Sequence, residues 1–529
     1  MNPGDQWHDD TSASPRESPY LRARIPRILL PNCEVQRPKE PTMFMTTVEL
    51  PVDILLAIFG YLTPNDILIV RQTCKKLFEI THLRSLWHRL MQSHVLEENI
   101  PVPGLGQRPL ESLTAGEIER HTFQALRFRQ NWISESPMPT TEVSLSTVPN
   151  SRIVSLQFLS NSGCQWLISL TMVTPLTGPR LFLLQCWDLQ TPSPTCVALR
   201  ELRQIGSMAA TNNPSGSAVL AVQCPQHSIQ ILSISPNPSN PVNGFVTLAS
   251  FRDDISTPHL FTGSTLLTGD VNSRFRLWKI ENPQTKIELQ NPDHHQAERV
   301  LAALLDERFV VVVRSTTLEV YELPRVTPET MQERVLHPIV QHRWPWRIDT
   351  VVISAQAVWP RTQLRLPAPI NILIRFGSLF PWPINLLHHY ELRPNTFYVQ
   401  SNSISEENLP FQFPPILRQT FGSPVRLFAP TDLVLGSCGS AMWIDSHTED
   451  YFGHSNCGQR LAGKYSSGLM AKDHEDEEAT LSDQLASTAA TSVYRVHEAD
   501  SWVRLALDEC EGRVAIGHVH GEISILGYA

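Results

Sequence analysis

Charge is scarce in this chain: only 18% of its 529 residues are Asp, Glu, Lys or Arg, below the quarter usual for soluble domains. Cysteine is thinly spread as well, nine residues standing singly with no C-x-x-C pair. That spacing excludes a dense disulfide framework or a zinc ribbon, and leaves reduced, mostly buried thiols of an intracellular protein as the expectation. No apolar run approaches the roughly 18 residues that a spanning helix needs; Ile54–Tyr61 and Phe309–Val313 are far shorter. Met1–Tyr20 is polar and Pro/Ser-rich with no apolar stretch, so no secretory signal is expected. There is no P-loop, no G-x-S-x-G elbow and no G-x-G-x-x-G after a strand, and no enzyme class gains positive support. The pairs His294-His295 and His388-His389 lack a correctly spaced third ligand, and His454 with Cys457 is an equally weak set, so neither a metal nor a cofactor is expected.

What the chain does contain is proline, 42 residues, with 24 glycines and 41% hydrophobic residues. That mixture suits many short strands and turns rather than a long helical solenoid. The length calls for a few domains, or one large repeat array with an appendage. The formal net charge of −9 disfavours a general nucleic-acid binder. The run His342-Arg343-Trp344-Pro345-Trp346-Arg347 interleaves aromatic and basic residues, but in so acidic a chain blade packing or a protein-contact loop is the preferred reading.

Residues 1–46 are proline-rich, of mixed charge and without periodicity, and read as a disordered tail; Met43-Phe44-Met45 at its end is a candidate alternative translation start that the sequence alone does not decide. From Val48 the character changes. Behind Leu50-Pro51, the apolar residues Ile54, Leu55, Ile58, Phe59 and Leu62 recur at helical spacing. Thr63-Pro64-Asn65-Asp66 is a fresh helix start, with a capping hydroxyl, proline in the first turn and a carboxylate three residues after the cap. Ile67, Leu68 and Val70 follow, then Cys74, Leu77 and Phe78, and a last turn holds Leu86, Trp87 and Leu90. A bundle this small cannot bury every apolar side chain it carries, so the leftover surface implies a partner.

These residues resemble an F-box. The family pattern of Leu-Pro, acid-Ile-Leu, Ile-Phe-x-x-Leu, an Asp-Leu-type second helix and a closing Trp is matched by Leu50-Pro51, Asp53-Ile54-Leu55, Ile58-Phe59-Gly60-Tyr61-Leu62, Asp66-Ile67 and Trp87. Arg71-Gln72-Thr73-Cys74-Lys75-Lys76-Leu77 looks like the version common in fungal members. Thr73 stands where Val is usual and Leu77 where Trp is frequent. The resemblance covers 47–92. It implies docking on a Skp-family adaptor, and through it a cullin–RING ubiquitin ligase. It places Leu50, Pro51, Ile54, Ile58, Phe59, Leu62, Ile67, Val70 and Trp87 at the docking surface or in its immediate support, some of them being internal core.

Residues 93–134 read as a helical linker. Thr114-Ala115-Gly116-Glu117 is a capping box, and Ile118, Ala125, Leu126 and Trp132 fall near one face. Two readings stay open here: a helix that fixes the angle between modules, and a plain packing helix.

Beyond Pro137 alternating apolar strands recur with a period. The runs Phe182–Leu189, Ile229–Ile234, Phe275–Ile280, Leu318–Leu323, Ala441–Asp445 and Ile523–Leu526 resemble one another, and the anchors Trp187, Leu232, Trp278 and Tyr321 stand 45, 46 and 43 positions apart. That is the period of WD-type propeller blades, although only Trp187-Asp188 keeps the dipeptide. A further blade fits through Ile372–Phe376 and Leu386–Leu392. Seven blades over 135–529 are favoured over six or eight, with a β-sandwich or two separate β-domains as the competing architecture. The fold class is thus α+β multidomain, a small all-α module ahead of an all-β propeller. Since the sequence stops after the third strand of the last blade, the run Glu142–Val148 is expected to supply the missing outer strand. The polar stretch 446–492, with Lys472–Glu478, reads as a disordered insertion between the last two blades.

By resemblance, the chain is expected to be a non-catalytic substrate adaptor of a ubiquitin ligase, its propeller holding a protein target not specified by the sequence. It would act in cytoplasm or nucleus, with no nucleic acid or membrane partner. A non-ligase scaffold or regulatory interaction protein is the alternative.

Overall fold

The computed structural model describes residues 50–529, except 107, 162–163, 176, 204–206, 212–217, 225–227, 236–239, 253–256, 270–273, 291–297, 307, 325–333, 358–365, 378–385, 426–430, 447–457 and 466–489. The tail 1–46, Met43-Phe44-Met45, His294-His295, His454 with Cys457, and Lys472–Glu478 lie outside the described residues.

Five α-helices come first: α1 (Val52–Phe59), α2 (Pro64–Arg71), α3 (Lys75–Ile80), α4 (Arg84–Met91) and α5 (Ala115–Trp132). Local chemistry sets their starts. At α2 the Thr63 hydroxyl accepts from Asp66 N at 3.2 Å while the Asp66 carboxylate accepts from Thr63 N at 3.2 Å, with Pro64 in the first turn. Thr114 and Glu117 repeat the device at α5. There the Thr114 backbone and the Arg108 guanidinium hold the Glu117 carboxyl down to about 2. Leu55, Ile67, Leu86, Trp87 and Leu90 form the inside of the small bundle. Its one buried indole donates from Nε1 to Thr81 O at 2.8 Å, so no polar atom of Trp87 is stranded.

Behind α5 stand seven sheets, six of four strands and one of five. Neighbouring strands within each are antiparallel apart from one added strand. Blade one spans 151–202, blade two 208–252, blade three 257–289, blade four 300–343, blade five 348–422, blade six 433–497 and blade seven 502–527. Second strands are buried on both faces, as Phe309–Arg314 is at every position, which is why they read as continuous apolar runs rather than alternating ones. The expected closure is present. Thr141–Ser146 pairs antiparallel with the last strand, from Thr141 against Gly527 to Ser146 against Glu522, and leaves no open edge at the join.

The periodic anchors are mostly third strands, and two of them, both tryptophans, share a contact. Trp187 Nε1 donates to Ser169 Oγ at 3.0 Å, and Trp278 Nε1 to Thr268 Oγ1 at 2.8 Å. Each bond ties a third strand to a hydroxyl on the second. Ala441–Asp445 is an exception: it lies in the second strand of blade six, Ser440–Ser446, and Trp443 Nε1 has no hydrogen-bond partner. The third strand of that blade is Gln459–Tyr465 and the fourth is Ser492–His497. The reading of 446–492 as one disordered insertion is therefore corrected, since its middle is a paired strand, Ser440 to Ser446 running against Tyr465 to Gln459. Gln-Arg-Leu-Ala-Gly-Lys-Tyr carries too little apolar periodicity to announce itself. Blade three gains a fifth strand, Arg334–Leu336, parallel to Asn282–Leu289 and drawn from the chain that joins two strands of blade four.

His388 and His389 sit on the third strand of blade five, Leu386–Leu392. His389 is buried against Asn371, with Nε2 to Oδ1 at 3.0 Å. Burial pushes its imidazole down to about 4, Glu391 opposing and Arg418 assisting. The folded state thus keeps this ring neutral where the unfolded chain, near 6.5, takes a proton. Its stabilising share is present above about pH 6.5 and lost as pH falls toward 4. Asp445 and Asp508, raised to about 6 by burial, act oppositely, stability falling as pH rises from about 4 to 6. Melting curves of wild type and His389→Gln from pH 7 to 4.5 should therefore diverge, the variant losing less stability on acidification. Truncating the closing strand at Leu145, a buried position, to alanine should cost about 2–4 kcal/mol in denaturant unfolding.

Candidate functional site

Helix periodicity divides the apolar residues of the first four helices into two sets. Leu55 and Phe59, four apart, face inward with Ile67, Leu77 and Trp87. Outside stand Tyr61 at 82% and Ile69 at 65% exposure, with Val52, Ile54, Ile58, Phe78 and Leu83 between 40% and 50%. Seven large apolar side chains left in water within 32 residues is an unusual density for a monomer surface. Tyr61 carries the Arg89 guanidinium over its ring at 5.3 Å, which holds the ring at the edge of this surface.

The residues assigned to docking from sequence divide along the same line. Ile54 and Ile58 are exposed, four apart on one face of α1, and Pro51 at the N-cap is exposed too. Leu50, Leu62 and Val70 are half-buried. Phe59, Ile67 and Trp87 are core, so their part is to support the surface from beneath. Sequence reading missed Val52, Tyr61, Ile69, Phe78 and Leu83 as surface residues. A usable signal existed for Ile69: it lies two positions from buried Ile67, about 200° around the helix, and the two cannot share a face.

The described part of this module is tied to the propeller through α5. At the near end Arg71 on α2 makes a fork with Glu119, Nη1 to Oε1 at 2.8 Å and Nη2 to Oε2 at 2.9 Å. Its guanidinium also donates to Thr81 O at 3.2 Å. Arg84 donates to the carbonyls of Leu110 and Leu113. At the far end Trp132 is fully buried between blades six and seven. Its Nε1 donates to Ser440 Oγ at 2.8 Å, its carbonyl accepts from Tyr494 OH at 2.8 Å, and the rings of Tyr494 and Tyr528 meet it edge-on at 5.0 and 5.3 Å. Phe128 fills the turn at Gly512, whose φ of +63° and the 2.6 Å that a Cβ would leave to the ring both require glycine. Below this seat the buried Glu509 carboxylate accepts from Ser440 N at 2.7 Å and from Cys438 N. Of the two open readings of α5, the structure shows a helix engaged at both ends. The inward face runs Ile118, His121, Thr122, Ala125, Phe128 and Trp132; Leu126 is half-buried beside it.

Strand direction assigns this attachment to one face. In each blade the connections from first to second and from third to fourth strand share one end, and the remaining connections share the other. Gly512 and Ser440 lie at first-to-second connections, so α5 occupies that end at blades six and seven. The excursion between the third and fourth strands of blade five is at the same end. There Arg308 of blade four donates to Tyr398 OH at 2.7 Å and to Asn402 O at 2.8 Å. Elsewhere, Val340–Arg343 is the outer strand of blade four and Trp344 is buried edge-on to Tyr390, while Trp346 is exposed. Among the described residues no three His, Cys, Asp or Glu side chains are placed to hold a metal ion, and no helix is long and apolar enough to cross a membrane.

Replacing Trp132 by alanine should cost about 3–5 kcal/mol at this seat. The first loss should be the attachment of α5, so limited proteolysis is expected to cut between 113 and 140 while the propeller fragment stays resistant. Uniform resistance in the variant would mean that the seat does not hold the modules together.

Residues 47–93 match the F-box-like family model. No curated protein shows significant similarity to the chain. Among solved structures, the chain is similar to the β-propeller domain of Cps50 (Swd1) from Myceliophteria thermophila, at 13% identity and a TM-score of 0.41 over 73% of this chain and 99% of that one. It is similar also to a chain of the Chaetomium thermophilum Polycomb Repressive Complex 2, at 9% identity and 0.44 over 74% and 98%. Likenesses this loose add nothing to the sheet topology, which alone gives seven blades. The chain thus carries an F-box-like segment at residues 47–93, followed by a seven-bladed β-propeller.

Proposed function

We propose that this protein is the substrate-recognition adaptor of a Skp–cullin–F-box ubiquitin ligase, working without chemistry of its own. The observation that carries the reading is the uncovered apolar surface of α1–α3. Ile54 and Ile58 on α1, Ile69 on α2 and Phe78 on α3 each leave about half or more of their surface in water, within the residues that match the F-box-like family. Full burial of such side chains contributes about 1.5–3 kcal/mol each. Those here are already near half covered, so these four supply about 3–6 kcal/mol before the costs of association. An adaptor subunit of Skp type is the partner that the family match implies.

The propeller then holds the target. Because α5 takes up the end of blades six and seven where first strands turn into second strands, the opposite end of the ring stays clear of the docking module. That end is the surface we assign to the target. A helix held at both ends suits a ligase, since a bound protein must be presented at a fixed distance from the enzyme that modifies it.

The double variant Ile54→Asp/Ile58→Asp changes only exposed positions and should leave the melting temperature within a few degrees. It should abolish co-purification of a Skp-type adaptor, and of the cullin with it. Undiminished capture of the adaptor would refute the docking surface. Capture of adaptor by the wild type without any cullin would instead favour a non-ligase scaffold.

A further inference from the structure

A groove of 990 Å³ runs along the outward side of α5, from Leu68 on α2 to Tyr528 at the end of the last blade. Its floor is apolar, with Phe123, Leu68 and Tyr528, and α5 lines it with Arg120, Gln124 and Arg127. Arg120 and Arg127 are both exposed. Seven residues apart, they return to nearly the same direction around the helix, about 10 Å along its axis. The one side-chain carboxylate in the lining, Glu119, is already held by both terminal nitrogens of Arg71. In a chain of net charge −9 this concavity is locally positive, with a greasy floor between two guanidinium groups.

From this we infer that the α5 groove is a second docking site, and that it takes an acidic peptide segment of a partner protein. The segment would carry carboxylates about 10 Å apart, with apolar side chains between them. That separation equals two turns of helix, where positions seven apart bring both carboxylates to one face. Guanidinium forks grip carboxylates in pairs of parallel hydrogen bonds, while Phe123 and Leu68 offer the apolar side chains a floor. The apolar floor favours a protein segment over nucleic acid, because Phe123 and Leu68 call for apolar side chains between the charges and a sugar–phosphate backbone carries none. The site is separate from the exposed faces of Ile54 and Ile58, and does not rest on what docks there.

Fluorescence anisotropy on the full chain tests it, with a fluorescein-labelled helical peptide that carries Glu at two positions seven apart and Leu between them on the same face as probe, and its Lys/Leu counterpart as control. The acidic peptide should saturate, and Arg120→Glu with Arg127→Glu should weaken it by about tenfold or more. Arg120→Lys with Arg127→Lys should weaken it less, and Ile54→Asp with Ile58→Asp should leave it unchanged. Because the arginines are exposed, thermal melts of the reversal variant should overlay those of the wild type. The inference fails if the acidic peptide does not saturate by about 1 mM, or if the reversal variant binds it equally. It fails also if a single-stranded oligonucleotide of equal charge displaces the peptide at lower concentration than unlabelled peptide does.

Discussion

Trp132 is the joint on which this architecture turns. One indole, with its nitrogen bonded to Ser440 and its faces against Tyr494 and Tyr528, fastens a helix into the seam between two blades. The same helix carries, four turns away, the Glu119 carboxylate that grips α2 through Arg71. An isolated surface ion pair would contribute little. This one is a partly buried fork, backed by the Thr81 carbonyl and by the Trp87 ring under the guanidinium at 5.7 Å. The two ends act differently: the far end is apolar burial with its polar atoms satisfied, and the near end is directional charge.

The seam itself is prepared for that helix. Glu509 is buried, and burial raises its pKa. It is tolerated because two backbone amides of the neighbouring blade point at it, which fixes the turn that presents Ser440. Gly512 leaves the space that Phe128 fills. The ring closes in the same place, since Thr141–Ser146 follows α5 directly in the chain and pairs with the last strand. Helix seating and ring closure are thus neighbouring events in one hydrophobic cluster and its edge.

Much of this was legible in the sequence because the relevant signals are local. The Thr63 and Thr114 capping boxes, the Leu-Pro opening and the Ile54–Phe59 spacing each need only a few consecutive residues, and each is present as read. The blade period was legible through Trp187 and Trp278, whose shared hydroxyl bond imposes one residue type at one place in the strand order. Trp443 misled because a large aromatic on a wholly buried second strand looks the same in sequence as one on a third strand. Gln459–Tyr465 escaped because its pairing, not its composition, makes it a strand. The division of docking residues into surface and core depended on tertiary packing: Phe59 and Ile58 are adjacent in sequence and alike in chemistry, yet one is buried and the other is not.

The central claim is that the apolar surface of α1–α3 is completed by another subunit. Calorimetric titration of the full chain with a purified Skp-type adaptor at several temperatures measures this most directly, because burial of apolar area gives a negative heat-capacity change. The account predicts saturable one-to-one binding with a clearly negative heat-capacity change, together with slowed amide exchange in α1–α3 and unaltered exchange in the blades. Absence of binding, or binding that protects only the propeller, would contradict it.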